Sequence, residues 1–194
     1  MSMSVPLPAD AGDWGWMPLV TGLAVRDALT RFGGGAVEVS LKWPNDVLVR
    51  AAGSHADPGK VCGILCEVAG DVVVAGVGVN VTVDAADLPV PTATSLHLEG
   101  VAVPDGREQV IVAVASAFAD RYAEFARDAG SIRAAYRGAC STVGQDVTVY
   151  VPEGRTVGGR ALAVDDDGRL VVEIDGEAIA FAAGDVVHVR REQA

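Results

Sequence analysis

The sequence predicts an α+β protein with two parts: residues 1–140, a mixed sheet with packed helices, and residues 141–194, a small all-β unit. Three observations carry this. Apolar residues recur at helical spacing in two long segments, and extended runs rich in Val, Ile and Leu lie between them. After Cys140 the texture changes to short alternating strands separated by turn residues.

In the segment 18–32, Leu19, Leu23, Val25, Ala28 and Leu29 fall at near-helical spacing, and Gly33-Gly34-Gly35 stops the helix. Extended runs follow at 36–43, 47–50, 60–68 and 72–81. Pro44-Asn45-Asp46 joins the first two as a turn, since Pro fixes φ and Asn and Asp tolerate unusual backbone angles. The stretch 51–59, with Gly, Ser, Asp, Pro and His55, reads as a surface loop. Ile111, Val114, Ala115, Phe118, Tyr122 and Phe125 make 107–128 an amphipathic helix, and a short helix follows at 131–137.

Five strands are predicted in the remainder, at 146–151, 156–164, 170–174, 177–181 and 185–189, with Pro152-Glu153-Gly154, Asp166-Asp167-Gly168 and Asp175-Gly176 as turns. Gly158-Gly159 interrupts the second strand and marks a candidate bulge. So few residues bury little area alone but suffice for a five-stranded barrel packed on a bigger neighbour.

Half of the 194 residues are hydrophobic and only 5% aromatic, so the core must come from Val, Ala, Leu and Ile. Fifteen basic residues against twenty-six acidic ones give a formal charge of −11, which opposes binding to nucleic acid or an anionic membrane. No basic run with an apolar stretch opens the chain and no apolar segment is long enough to span a bilayer, so a soluble cytoplasmic protein is expected. Cys62 and Cys66 lie four apart in a predicted strand, roughly 13 Å along it, too far to bridge. With no histidine at zinc-ligand spacing, they and Cys140 read as buried, inert thiols. His55, His97 and His188 share no spacing that suggests a triad or metal site, and Asp165-Asp166-Asp167-Gly168 lacks the later ligands of a calcium loop and reads as a hairpin turn.

The lysines mark the window where chemistry is expected. There are only two, Lys42 and Lys60, against thirteen arginines, and both open polar motifs in one window. An ammonium is a compact point charge and guanidinium a planar fork, so the two are not exchangeable where a single oxygen must be met closely.

Lys42-Trp43-Pro44-Asn45-Asp46, then Lys60-Val61-Cys62-Gly63-Ile64-Leu65-Cys66-Glu67, Gly76-Val77-Gly78-Val79-Asn80 and Ala93-Thr94-Ser95-Leu96 resemble, in order and spacing, the biotin protein ligases. The resemblance covers nearly the whole chain. It implies a biotin/lipoate ligase-like catalytic core followed by a barrel of Src-homology-3-like type. The implied activity is ATP-dependent attachment of biotin to a lysine of a biotin carboxyl carrier protein through biotinyl-5'-adenylate, with biotin, ATP and Mg2+ as ligands and a homodimer among the assemblies it allows. Lys60 resembles the family lysine that reaches the biotin carboxylate and the adenylate. Asp46 and Asn45 would serve the nucleotide, with Asp46 also facing magnesium, though the same pair suits an ordinary turn. Trp43 reads equally as a core anchor or as a face beside the nucleotide. Gly76 and Gly78 would let the backbone approach the adenylate, with Asn80 at its edge, or would only ease packing. Lys42 either binds phosphate or ends its strand.

The family's Gly-Arg-rich loop, its upstream strands and a Ser/Thr-rich biotin-lining segment are absent from these residues, so the chain reads as N-terminally truncated and impaired. A late start codon, a true truncation and half of a split enzyme are all left open. The rival reading is a non-catalytic module of the same fold. A lipoate-attaching ligase is the near alternative, and the Trp-Pro-Asn-Asp turn and terminal barrel favour biotin.

Overall fold

The computed structural model describes residues 1–6, 11–151, 155–182 and 185–188. The predicted turn at Pro152-Glu153-Gly154 and the predicted strand end at Val189 lie outside them. Among the described residues no helix is long and apolar enough to cross a membrane.

The larger sheet has five strands: β1 (Ser2–Pro6), β2 (Val37–Lys42), β3 (Asp46–Ala51), β4 (Gly59–Ala69) and β5 (Val72–Val79), in the order β1-β5-β4-β3-β2. The expected mixed sheet is corrected to an antiparallel one, because each step from β2 to β5 is a hairpin. Among the described residues, parallel contact is confined to two isolated bridges, Leu41 with Cys140 and Lys60 with Ala93. β1 is an addition to the sequence reading. Its alternation of half-buried Met3 and Val5 is too short to stand out, and pairing with β5 supplies what local pattern does not.

Helix α1 (Met17–Gly33) has Pro18 in its first turn, where a missing N–H costs nothing. It ends on left-handed Gly34, whose N–H donates to the Thr30 carbonyl. Most of α1 is buried, because it packs against both the sheet and α2 (Arg107–Arg127). The buried stripe of α2 runs through Val110, Val114, Ala117, Phe118 and Phe125, which leaves the predicted stripe residue Ile111 outside. Asp128 caps α3 (Ala129–Ala139), which inserts Ile132 and Tyr136 into the core. These helices cover the sheet face that carries Val39, Leu41, Val47, Val49, Ile64, Val73 and Val77.

The second sheet, β6 (Asp146–Val151), β7 (Arg155–Val164), β8 (Leu170–Ile174), β9 (Glu177–Phe181) and β10 (Asp185–His188), is antiparallel in the order β10-β6-β7-β8-β9. Val147, Val149, Ala161, Leu170, Val172 and Val186 form its interior. The irregularity in β7 falls between Ala161 and Ala163, which turns Leu162 outward, and not at the glycines. Gly158 and Gly159 pair in register with Thr148 and Val147. Their roles differ, since a Cβ on Gly159 would stand 2.3 Å from the Glu173 carbonyl oxygen and 2.6 Å from Val172, whereas one on Gly158 would meet nothing within 4 Å.

Gly159→Ala should therefore lower stability by about 1–3 kcal/mol through overpacking against backbone, and Gly158→Ala should stay within about 0.5 kcal/mol. Urea denaturation of the two variants checks this, and equal midpoints would remove the distinction.

Candidate active site

One row of residues crosses four strands on the sheet face opposite the helices. The registers Lys42 to Asp46, Asp46 to Gly63 and Gly63 to Gly78 align these residues side by side. Two are charged and two have no side chain. All four lie in the predicted motifs, and three of them, Lys42, Asp46 and Gly78, are predicted site residues; Gly63 was passed over.

Lys60 reaches this row through a bulge. Residues 60 and 63 would project to opposite faces of a regular strand, because side chains alternate. Val47 pairs with Cys62 but Leu48 pairs with Lys60, so Val61 is the extra residue on β4 and alternation restarts across it. Lys60 is thereby brought to the side of Gly63, where a Cβ would stand 3.4 Å from both Cε and Nζ of the lysine. The backbone of Lys60 is held as well: its N–H donates to the Thr92 carbonyl, and its carbonyl accepts from Thr94.

Asp46 lies between the two lysines, with Oδ1 2.5 Å from Lys60 Nζ and Oδ2 3.6 Å from Lys42 Nζ. The Lys60 contact is an ion pair without hydrogen-bond alignment, so buried Oδ1 carries no hydrogen bond. Asp46 is 11% exposed and Lys60 40%, which places the shared carboxylate inside and the second ammonium at the opening. Two cations against one anion leave a local positive excess in a chain of net charge −11.

Beside this cluster is a cavity of about 270 Å³, lined by Lys60, Cys62, Gly63, Gly78, Asn80 and Ala93 among others. Asn80 donates from its amide to the Thr94 carbonyl and so ties the 93–96 segment to the rim. Gly76 is one row away, paired with Leu65 and Ser2. Leu65 is 64% exposed on that face and is a second residue the sequence reading passed over, because an apolar residue in an apolar strand gives no sign of which way it points. A larger, shallower groove between the ends of α1 and α2, lined by Arg31, Phe32, Glu108 and Val112, contains none of the predicted residues.

Two predicted ligand contacts serve the fold in this structure. Trp43 is 1% exposed, and its indole N–H donates to the Gly168 carbonyl, so the core-anchor alternative accounts for its contacts. Asn45 holds both backbone polar groups of Ile64: its side-chain amide donates to the Ile64 carbonyl and its own carbonyl accepts from the Ile64 N–H. His188 lies 3.1 Å from Thr142 Oγ1, and burial together with the charge of Lys42 holds its pKa below the usual histidine value.

Burial, reinforced by the negative charge of Asp46, pushes the Cys62 thiol up to about 12. Burial also raises Cys66. The folded state therefore holds the Cys62 proton more tightly than the unfolded state does. The stability linked to that proton is present below the ordinary thiol value of 9.0 and is lost as pH rises from there toward about 12. Cys62 should resist alkylation by iodoacetamide at mildly alkaline pH until the chain is denatured, as read by peptide mass spectrometry. Equal labelling of native and denatured protein would contradict the assignment.

The family model described as the biotin protein ligase C terminal domain matches residues 142–189. The biotin-[acetyl-CoA-carboxylase] ligase of Mycobacterium tuberculosis is 41% identical over 187 residues, 96% of this chain and 66% of that protein, so the chain spans about two thirds of the relative's length. Among solved structures, the biotin protein ligase of Aquifex aeolicus superposes with a TM-score of 0.78 at 22% identity, over 97% of this chain and 82% of that one. The same protein in complex with biotin and ATP gives 0.72 at 21% identity, over 97% and 78%. At these identities the structural likeness is one of fold, and the sequence identity to the mycobacterial ligase carries the kinship. The chain belongs to the biotin protein ligase family, a family of ligase enzymes.

Proposed function

We propose that this chain carries the adenylate-forming core of a ligase that attaches biotin to a lysine of a biotin carboxyl carrier protein. The observation that carries the reading is the Lys42–Asp46–Lys60 cluster beside a glycine-floored cavity, in a chain 41% identical to a ligase named for that reaction. In the first step a carboxylate oxygen of biotin attacks the α-phosphorus of ATP, and pyrophosphate leaves with the electron pair of the broken P–O bond. In the second, the carrier lysine's amine attacks the acyl carbon, AMP leaves, and the amine loses a proton as the amide forms. Negative charge has to be met in both steps, and fixed donors meet it without reorganisation.

Lys60, the more open of the two ammoniums, is assigned to the biotin carboxylate and the adenylate phosphate, and Lys42 to phosphate. Gly63, Gly76 and Gly78 let the ligand lie against the sheet, Leu65 gives an apolar wall, and Asn80 holds the rim. Asp46 does not fit a magnesium held by the protein, because both of its oxygens already face ammonium groups. The described residues contain no group of three or more metal-binding side chains. Magnesium is assigned to the substrate, as magnesium-ATP, which suits a cation that is commonly bound through nucleotide phosphates. Asp46 is assigned to holding Lys60 over Gly63. A division into a catalytic part at 1–140 and a barrel at 141–194 that helps hold the nucleotide or the carrier completes the proposal, together with a cytoplasmic setting in which ATP and unmodified carboxylases meet.

Pyrophosphate release with biotin, ATP and magnesium tests the first step, and biotin transfer to a carrier protein tests the second. Residues 1–194 contain no Gly-Arg-Gly-Arg run, so assayed by themselves they should form adenylate slowly. Addition of such a loop in cis should raise the rate. Failure to form adenylate even then would favour the non-catalytic reading. In an active form, Lys60→Arg should lower adenylation roughly 100-fold with little change in stability, since charge is kept and point geometry lost. Asp46→Asn should lower it roughly 10- to 100-fold through misplacement of Lys60, with the magnesium concentration for half-maximal rate unchanged. A raised magnesium requirement in Asp46→Asn would return that carboxylate to the metal.

A further inference from the structure

The turn between β7 and β8 is wedged into the larger part of the chain. The Trp16 indole N–H donates to the Asp166 carbonyl at 2.7 Å and the Trp43 indole N–H donates to the Gly168 carbonyl at 2.9 Å. Both rings are fully or almost fully buried. The backbones meet through two glycines: a Cβ on Gly15 would stand 2.8 Å from the Asp167 carbonyl oxygen, and one on Gly168, where φ is +79°, would stand 3.2 Å from the Gly15 carbonyl oxygen. The turn is also braced within itself, because the Asp165 carboxylate accepts from the N–H groups of Asp167 and Arg169 and from the Arg169 guanidinium. A rigid object is thus seated between two tryptophans.

Trp43 is the residue between Lys42 and the Pro44-Asn45-Asp46 turn. Its backbone N–H donates to Thr142 Oγ1 at 3.1 Å, and the carbonyl of Leu41 accepts from both the N–H and the hydroxyl of Ser141. The segment that carries Lys42 and Asp46 is consequently pinned along its backbone by residues 141 and 142 and at its one large side chain by Gly168. Lys60 follows, since its ammonium pairs with Asp46.

We propose that the tip of the β7–β8 turn, residues 165–168, is a positioning element for the Lys42–Asp46–Lys60 cluster. It sets the orientation of Trp43, and through it the placing of Lys42 and Asp46. The functional meaning rests on reading that cluster as the ligase site, but its geometry can be measured without biotin or ATP.

The chain holds only two lysines, so side-chain labelling of lysine with ¹³C at Cε and ¹⁵N at Nζ gives two NMR signals, both from the cluster. In the full chain, Gly168→Ala and Gly15→Ala each force the tip out of its seat without touching a lysine. Trp16→Phe is the milder change, keeping a buried ring and removing the N–H donated to Asp166. Ile179→Thr, on exposed β9, is the control for changes elsewhere in the small sheet. Both lysine signals should move by more than their linewidths in whichever glycine variant folds, and by less in Trp16→Phe, and should stay in place in Ile179→Thr. Signals at wild-type positions in folded Trp16→Phe and in a folded glycine variant would overturn the proposal. So would Trp16→Phe signals at wild-type positions if neither glycine variant folds, or an equal displacement in Ile179→Thr.

Discussion

One inserted residue in β4 decides what the open face of the larger sheet can do. With regular alternation, Lys60 and Gly63 would face opposite ways, and an ammonium would enter the layer occupied by Val47, Ile64 and Val77, where its desolvation would go uncompensated. Val61 takes up the extra step as a buried residue, and the lysine emerges beside Asp46. The ion pair, the use of Gly63 as cavity floor and the parallel bridge from Lys60 to Ala93 all depend on that phase change. Bulges are known to re-aim side chains next to functional sites. In this chain the bulge converts a hydrophobic strand into one that offers charge on one side and core on the other.

The turn between β2 and β3 divides its polar residues between charge and architecture. Asn45 locks the turn to β4 through the backbone N–H and the carbonyl of one residue, Ile64, and Trp43 locks it to the small sheet. Asp46 can then be held almost buried, an arrangement that would be costly for a lone carboxylate and is offset by two ammoniums. Fixed charge in a partly dry recess acts more strongly on a ligand than the same charge on the surface would. The acidic surplus of the whole chain therefore does not prevent one small region from attracting an anion.

The α+β class, the two principal helices and every strand from β2 to β10 were legible, because hydrophobic period and turn chemistry are local properties. β1 was not, since five residues of weak alternation become a strand only against β5. The larger sheet was expected to be mixed, although hairpin spacing between β2 and β5 contained its antiparallel order. In the site, Lys42, Asp46, Lys60, Gly78 and Asn80 stood out as residue types in ordered motifs. Gly63 and Leu65 did not, because their facing depends on a bulge and on cross-strand register, which are properties of the paired sheet. The burial of Trp43 was open for a similar reason: its indole partner, Gly168, is 125 residues away.

The scarcity of lysine has a further chemical consequence. Activated acyl groups are captured by free amines, and a guanidinium that stays protonated at any physiological pH is a poor acceptor. Thirteen of the fifteen cationic side chains here are arginines, and both ammoniums lie within 4 Å of one carboxylate. Apart from its α-amino group, the chain offers an activated acyl group only these two primary amines. A ligase with such a surface would be largely inert toward its own electrophile and leave the reaction to an amine brought in by the acceptor.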